Sequence, residues 1–379
     1  MPNHIFKSLV AATFLLIAAQ ATGCDELDIL AGQHVVYSFP SSSHPPHELV
    51  MLTKAGLVGG VILFGVNVDG NTSQAMSVLK DAYESSPAPA LLKKKTGKNV
   101  RFLVITDQEG GQVRRIKDGE PNLSAKKIGA SADPAAAGEA AGAGAASSLK
   151  RYQCNSNLAP VLDVFRQPGD FTDYYQRSFG NTSQQVVGAA VPFITAQQGE
   201  CVSACAKHFP GLGAASNNAN TDEEPVVLNL TLSEIRGVDQ VPYVAAIEAG
   251  VDMVMASWAV YPALDQRPAG LSEKWIKGEL RGRLGFKGVT ITDALEAGSL
   301  AAYGDAAARG TAAAVAGMDI LLASGKDVMQ GEAGGIGGGM QGEAVRIAVV
   351  QALKKGLLGR AEFDAATERI AAVRSRIVA

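Results

Sequence analysis

"RFLVITD", residues 101–107, is an apolar, β-branched run that stops on an acid. A short continuous run of Leu, Val and Ile reads as a strand buried on both faces, as in a parallel sheet. The same design recurs along the chain. Before it stand "GQHVVYSF" (32–39) and "VGGVILF" (58–64). After it come "NSNLAPVLDV" (155–164), "CVSACAKHF" (201–209), "GVDMVMAS" (250–257), "GVTITD" (288–293) and "MDILLAS" (318–324). Helical patterns lie between these runs, with Ser233 and Ser272 as expected N-caps and Gly250, Gly285 and Gly317 as expected stops. Strand–helix alternation repeated eight times predicts an α/β fold, a single-domain (β/α)8 barrel of the TIM type. An open doubly wound sheet is the alternative. The barrel is favoured by where the polar residues fall: Asp107, Asp163, Lys207, His208, Ser257 and Asp293 each stand at or just past the end of a predicted strand. In a barrel those ends converge on one mouth, where barrel enzymes carry their chemistry.

The composition agrees with a large core. Of 379 residues, 47% are hydrophobic and 19% charged, which argues against wholesale disorder. The net charge of −3 comes without a long basic run, so nucleic acid is not an expected partner. At the N-terminus, Lys7 precedes an apolar run from Leu9 to Ala19 and then small residues, the layout of a secretory signal over residues 1–23. The run is short for a membrane span, and no transmembrane span is expected in the mature chain. The barrel with its C-terminal helices is assigned to residues 28–379. Ala21-Thr22-Gly23-Cys24 offers a second reading, a bacterial lipoprotein site with a lipid anchor at Cys24. Sequons at Asn71, Asn122, Asn181 and Asn229 suit a eukaryotic secretory route instead. Both place the protein outside the cytosol. Cys154, Cys201 and Cys205 allow one disulfide or three free thiols, and their spacing does not read as a zinc site.

Several stretches carry candidate chemistry. In "VITDQEGGQVRRI" (104–116), Asp107 can accept two hydroxyl hydrogen bonds and an arginine can reach back past Gly110-Gly111. "SACAKHFPG" (203–211) sets two donors, Lys207 and His208, at a strand end. "GFKGVTITDALEAGSL" (285–300) ends an apolar strand on Asp293, a costly place for a carboxylate that is neither paired nor used. Arg177 in "YYQRSFGNTS" (174–183) reads, on spacing alone, as a solvated or ion-paired side chain. Gly337, Gly339 and Gly342 form a G-x-G-x-x-G before a helical pattern, but residues intervene between strand and helix, so a surface loop is expected rather than a dinucleotide site.

Taken in order, "GGVILF", "TDQEGGQVRRI", "NLAPVLDV", "RSFG", "AKHFPGLG", "GVDMVMAS", "YPALD" and "GFKGVTITDALEAG" resemble the catalytic barrel of glycoside hydrolase family 3. The likeness covers roughly residues 28–325 and is greatest to the single-domain β-N-acetylhexosaminidase (β-N-acetylglucosaminidase) type. It implies a retaining hydrolase of terminal β-linked sugars, with a carbohydrate as the partner and neither metal nor organic cofactor. It also implies that Asp293 is the nucleophile and that Asp107, Arg115, Arg177, Lys207 and His208 hold the sugar. A β-glucosidase-type activity is the alternative.

One segment departs from that pattern. Hexosaminidase-type members follow "KHFPGxG" with a loop bearing Asp-Ser-His or a close variant, whose histidine is the acid/base. Here Asn218-Ala219-Asn220 stands in that place. Three outcomes follow, in order of preference. Asp222, or failing it Glu223 or Glu224, supplies a carboxylic acid/base. Alternatively, only good leaving groups are released. In the third, the protein is a saccharide-binding pseudoenzyme.

Overall fold

The computed structural model describes residues 25–39, 44–325 and 337–378. The expected signal segment and Cys24 lie outside the described residues. The eight predicted strands form one parallel sheet in the order β10-β1-β2-β3-β6-β7-β8-β9. They are β1 (Val35–Tyr37), β2 (Gly60–Leu63), β3 (Leu103–Thr106), β6 (Ser156–Asn157), β7 (Ser203–Phe209), β8 (Met253–Ala256), β9 (Val289–Thr292) and β10 (Leu321–Ala323). The ring closes between β9 and β10, where Ile291 bridges Ile320 and the Thr292 N–H donates to the Ile320 carbonyl at 3.0 Å. The chain is a single-domain (β/α)8 barrel.

Strand alternation sorts the apolar side chains into two cores. Val36, Ile62, Leu103, Ile105, Met253, Met255 and Ile291 point inward. Val35, Val61, Leu63, Val104, Val254 and Leu321 point outward against the helices. The final helix, Arg360–Arg374, contributes Ile370 and Val373 to the inner core, so it plugs the end of the barrel where the strands begin.

Four local expectations differ from the structure. The run 155–164 pairs as a strand only at Ser156–Asn157, because Pro160 has no N–H for the ladder; contact resumes at the Val161–Lys207 bridge. Residues Gln108–Gly110 (β4) and Val113–Arg114 (β5) form an unforeseen antiparallel hairpin. Ser233 is not the cap of its helix; Thr231 accepts from the Glu234 N–H, and Glu234 accepts in return from the Thr231 N–H. The glycines at 337, 339 and 342 lie not in a loop but in a helix, Gly337–Lys354. Gly342 is required there by close approach, since a Cβ would sit 2.4 Å from the Tyr37 ring. Ser272 does accept from the Trp275 N–H, and Gly317 ends its helix in the left-handed conformation.

Candidate active site

At the C-terminal ends of the strands lies a cavity of about 240 Å³, lined by seven residues singled out from sequence, Asp107, Arg115, Arg177, Lys207, His208, Asp222 and Asp293, but not by Asp163, Ser257, Glu223 or Glu224. Its floor is apolar, from Ile62, Leu158 and Met255. Each polar side chain arrives by a definable local device.

Asp107 follows β3 directly. The β4–β5 hairpin then reverses the chain through Gly110 and Gly111, both at positive φ, where side chains would collide with residues 121–124. That reversal returns Arg115, whose Nη2 donates to Asp107 at 3.3 Å and whose N–H donates to the Asp107 carbonyl. Lys207 Nζ donates to the other Asp107 oxygen at 2.8 Å. Burial alone would raise the Asp107 carboxyl, but Lys207 and Arg115 overcome it and hold it well below the usual carboxylate range.

Glu109 was not identified from sequence. It is buried, grips Arg177 through two hydrogen bonds of 2.9 and 2.8 Å, and lies 2.7 Å from Lys207 Nζ. Burial would raise it; Arg177 and Lys207 bring it down to about 2. Conversely, burial would lower Lys207, and Asp107 and Glu109 raise it above the ordinary lysine value. The available signal was spacing: Glu109 stands two positions past Asp107, which places both on one side of an extended chain. Arg177, bland on spacing alone, is thus a cavity residue held by a bidentate carboxylate.

Lys207 and His208 are neighbours, yet both reach the cavity. The pairing of β7 with β8 shifts register between Ala206 and Phe209, which breaks strict alternation, and the peptide between the two residues is cis. Asp163, noted only as a strand-end acid, fixes the imidazole. Its Oδ2 accepts from His208 Nδ1–H at 2.8 Å, while its Oδ1 accepts from the N–H groups of His208 and Leu212. The ring's Nε2 is left toward the cavity, 3.4 Å from Arg177 Nη2.

Asp293 follows β9, half-buried, with its Oδ1 accepting the Ala294 N–H at 2.7 Å. Facing it is the loop that lacks the histidine. The Asp222 carbonyl accepts from the Gly298 N–H at 2.7 Å and the Thr221 carbonyl from the Ser299 N–H at 3.2 Å, which dock the loop on the segment just after Asp293. Asn220, standing where the histidine is usual, accepts the Asp222 N–H on its Oδ1 at 3.0 Å and so shapes the turn that presents Asp222. Asp222 is exposed as a residue, but its side chain leans over the cavity. Partial burial of the carboxyl and the charge of Asp293 push it up to about 6. Glu223 and Glu224 do not line the cavity; Glu223 accepts from Asn220 Nδ2 at 3.0 Å.

A second cavity, of about 180 Å³, sits at the opposite end of the barrel beside His34, Arg281, Asp319 and Arg369. Within it Asp319 pairs with Arg281 at 2.6 Å and with Arg369 at 2.7 Å. Among the described residues, no group of three His, Cys, Asp or Glu is arranged to hold a metal, and no helix is long and apolar enough to cross a membrane. Cys154, Cys201 and Cys205 are free thiols, and burial pushes Cys154 and Cys205 up to about 12. All four sequon asparagines are exposed.

Comparison with known proteins fits this geometry. The model of the glycosyl hydrolase family 3 N-terminal domain matches residues 26–373. A protein of Arthroderma benhamiae described as an uncharacterized secreted glycosyl hydrolase is 46% identical over 374 residues, 98% of this chain and 100% of its own. A β-hexosaminidase of Xanthomonas axonopodis pv. citri is 34% identical over 273 residues, 70% of this chain and 76% of its own. Among solved structures, a family 3 β-N-acetylglucosaminidase from a Paenibacillus species superimposes with a TM-score of 0.80 at 26% identity. The match covers 92% of this chain and 62% of that one. A β-N-acetylhexosaminidase from Beutenbergia cavernae gives 0.76 at 29% identity, over 92% of this chain and 98% of its own.

Proposed function

The chain belongs to glycosyl hydrolase family 3 and is a glycoside hydrolase; from that premise we propose that it releases terminal β-linked N-acetylglucosamine with retention, using Asp293 as nucleophile and Asp222 as acid/base. The observation that carries this reading is the pairing of the two carboxyls across one cavity, with Asp222 tied by backbone hydrogen bonds to the segment that follows Asp293.

In the first step the Asp293 carboxylate attacks the anomeric carbon while the glycosidic C–O bond breaks. Asp222, protonated, gives its proton to the departing oxygen, and the aglycone leaves as an alcohol. In the second step the Asp222 carboxylate takes a proton from water, the water oxygen attacks the anomeric carbon, and Asp293 departs as carboxylate. Asp107 and His208 Nε2 accept hydrogen bonds from sugar hydroxyls, while Arg115, Arg177 and Lys207 donate to sugar oxygens. The ion pairs of Asp107 and Glu109 preorganise these donors, so little reorganisation remains when substrate binds. The preference for the N-acetyl sugar follows the names of the hexosaminidase relatives, and β-glucoside hydrolysis is the alternative. Export through the 1–23 segment accords with the secreted relative from Arthroderma benhamiae.

Turnover of an aryl β-N-acetylglucosaminide and an aryl β-glucoside by wild type, Asp293→Asn and Asp222→Asn tests the assignment. Asp293→Asn loses activity by several orders of magnitude. Asp222→Asn slows poor leaving groups far more than activated ones. Unchanged turnover in Asp293→Asn sinks the nucleophile, and equal slowing of both leaving-group classes sinks the acid. Preference for the glucoside in wild type moves the enzyme to the alternative sugar.

A further inference from the structure

Two large aromatic side chains stand uncovered at the lip of the cavity: Tyr174, 57% exposed, and Tyr175, 39% exposed. They meet edge to face, with centroids 5.0 Å apart and planes at 87°. Phe171 braces the pair from below, 5.1 Å from the Tyr175 ring. Phe171 and Tyr175 both line the cavity that contains Asp222. The Phe171 N–H donates to the Ala215 carbonyl at 2.8 Å, which ties this aromatic turn to the loop that presents Asp222.

The placement of the rings is enforced by the backbone. Gln176, directly after Tyr175, is left-handed with φ 56°, an uncommon conformation for a side chain with a Cβ. It is held by Ser124 Oγ, which donates to its Oε1 at 3.0 Å, and by the Lys126 N–H on its carbonyl. Arg177 then turns inward, its N–H bonded to the Thr172 carbonyl at 2.7 Å. One short turn therefore sends an arginine into the cavity and leaves two tyrosines uncovered beside it.

We infer that Tyr175, backed edge to face by Tyr174, forms the aglycone subsite, a stacking platform for the sugar ring on the leaving side of a β-linked oligosaccharide. The inference rests on the hydrolase reading above, because it uses the position of the acid. The group that receives the proton of Asp222 must lie beside Asp222, outside the sugar held by Asp107, Lys207 and His208. The aromatic turn is the element joined to that loop. A β-linked pyranose with equatorial substituents presents a face of C–H bonds, which suits the negative face of an aromatic ring. Tyrosine supplies that area with few rotors to freeze. The substrate class is accordingly oligosaccharides, not simple glycosides with small aglycones.

Titration calorimetry on the full chain tests this without turnover. The probes are N-acetylglucosamine and the non-hydrolysable thio-linked disaccharide of N-acetylglucosamine, each added to wild type and variants. Wild type binds the disaccharide more tightly than the monosaccharide by about tenfold. In Tyr174→Ala and Tyr175→Ala that ratio falls at least about fivefold, whereas Tyr174→Phe and Tyr175→Phe keep it within about twofold. Melting temperatures of all four variants are compared with wild type, so that loss of fold is not read as loss of the subsite. A ratio unchanged in Tyr175→Ala overturns the platform, as does a wild type that gains nothing from the second sugar. If neither N-acetyl probe binds, the choice of sugar has failed, and glucose with thiocellobiose then decides the platform by the same ratio.

Discussion

Asp222 and Asp293 face one cavity, so ionising both brings two like charges together. Partial burial and that repulsion set the Asp222 carboxyl near 6, above the ordinary aspartate value of 3.8. A general acid acts only while protonated, so kcat/KM for a poor leaving group is expected to decline as the pH rises through about 6. In Asp222→Asn this limb disappears, and turnover of that substrate drops by about 10²–10⁴-fold. A limb that persists in the variant would assign the titration to another group. Deeper in the site, Glu109 is the sole carboxylate among the described residues to bridge Arg177 and Lys207. Glu109→Gln leaves two buried cations short of a counter-charge, which costs about 3–5 kcal/mol, the range found when one member of a buried pair is removed. The expected outcome is a lower unfolding midpoint together with a higher KM; a rise in KM at unchanged stability would make Glu109 a ligand of substrate alone. Asp107 and Asp293 were legible because each ends an apolar run, whereas Glu109 was not, because its meaning lies in two cations that come from residues 177 and 207. Asn220 was legible only as a missing histidine; that its side chain accepts the Asp222 N–H and shapes the turn could not be read from the sequence.

At the scale of elements, parallel strands buried on both faces read as continuous apolar runs, which is why all eight could be placed and why their ends marked the mouth. The β4–β5 hairpin was hidden because its strands are two and three residues long and contain no apolar run at all. Strand β6 was overdrawn because "LAPVLDV" keeps the apolar composition while Pro160 removes the donor a ladder needs. A different junction ties β1 to the final helix. His34 is buried, stacks on Phe363 at 4.3 Å, approaches the Asp319 carbonyl with Nδ1 at 3.0 Å, and approaches Thr367 Oγ1 with Nε2 at 2.8 Å. Burial lowers its pKa from 6.5 to about 4, outweighing the opposing pull of Asp319. Between those values an unfolded chain binds a proton that the folded chain refuses, so unfolding takes up a proton there. The neutral ring's contribution is whole above pH 6.5 and is lost as the pH falls toward 4, up to about 3 kcal/mol. His34→Gln cannot titrate, so its stability is expected to change less than that of wild type over this window in denaturant unfolding. Parallel curves would place the acid sensitivity elsewhere.

Across the whole molecule, chemistry and closure occupy opposite ends of the same strands. The cavity lies where the strands finish, and the Arg360–Arg374 helix seals the end where they begin. Ile370 and Val373 join the inner core from that helix, as does Ile377 just beyond it. Arg374, almost wholly buried, donates to the Arg101 carbonyl at 2.7 Å and to Gln33 Oε1 at 3.0 Å, and it lies over the Tyr83 ring. A buried arginine with those partners fixes the rotation of the helix against the starts of β1 and β3, and the apolar side chains supply the burial that keeps it docked. Truncating Ile370, 2% exposed, to alanine removes methyl groups from a packed interior and is expected to cost about 2–5 kcal/mol. The measurement is a denaturant titration with the cooperativity recorded beside the midpoint. A lower midpoint at unchanged slope means that plug and barrel unfold as one unit; a new early transition means that the helix leaves first. Because Ile370 lies a barrel's length from Asp293, KM for an aryl glycoside is expected to hold in the folded variant. A KM that moved with Ile370→Ala would show that the two ends of the barrel are mechanically joined, and the separation of closure from chemistry would then be wrong.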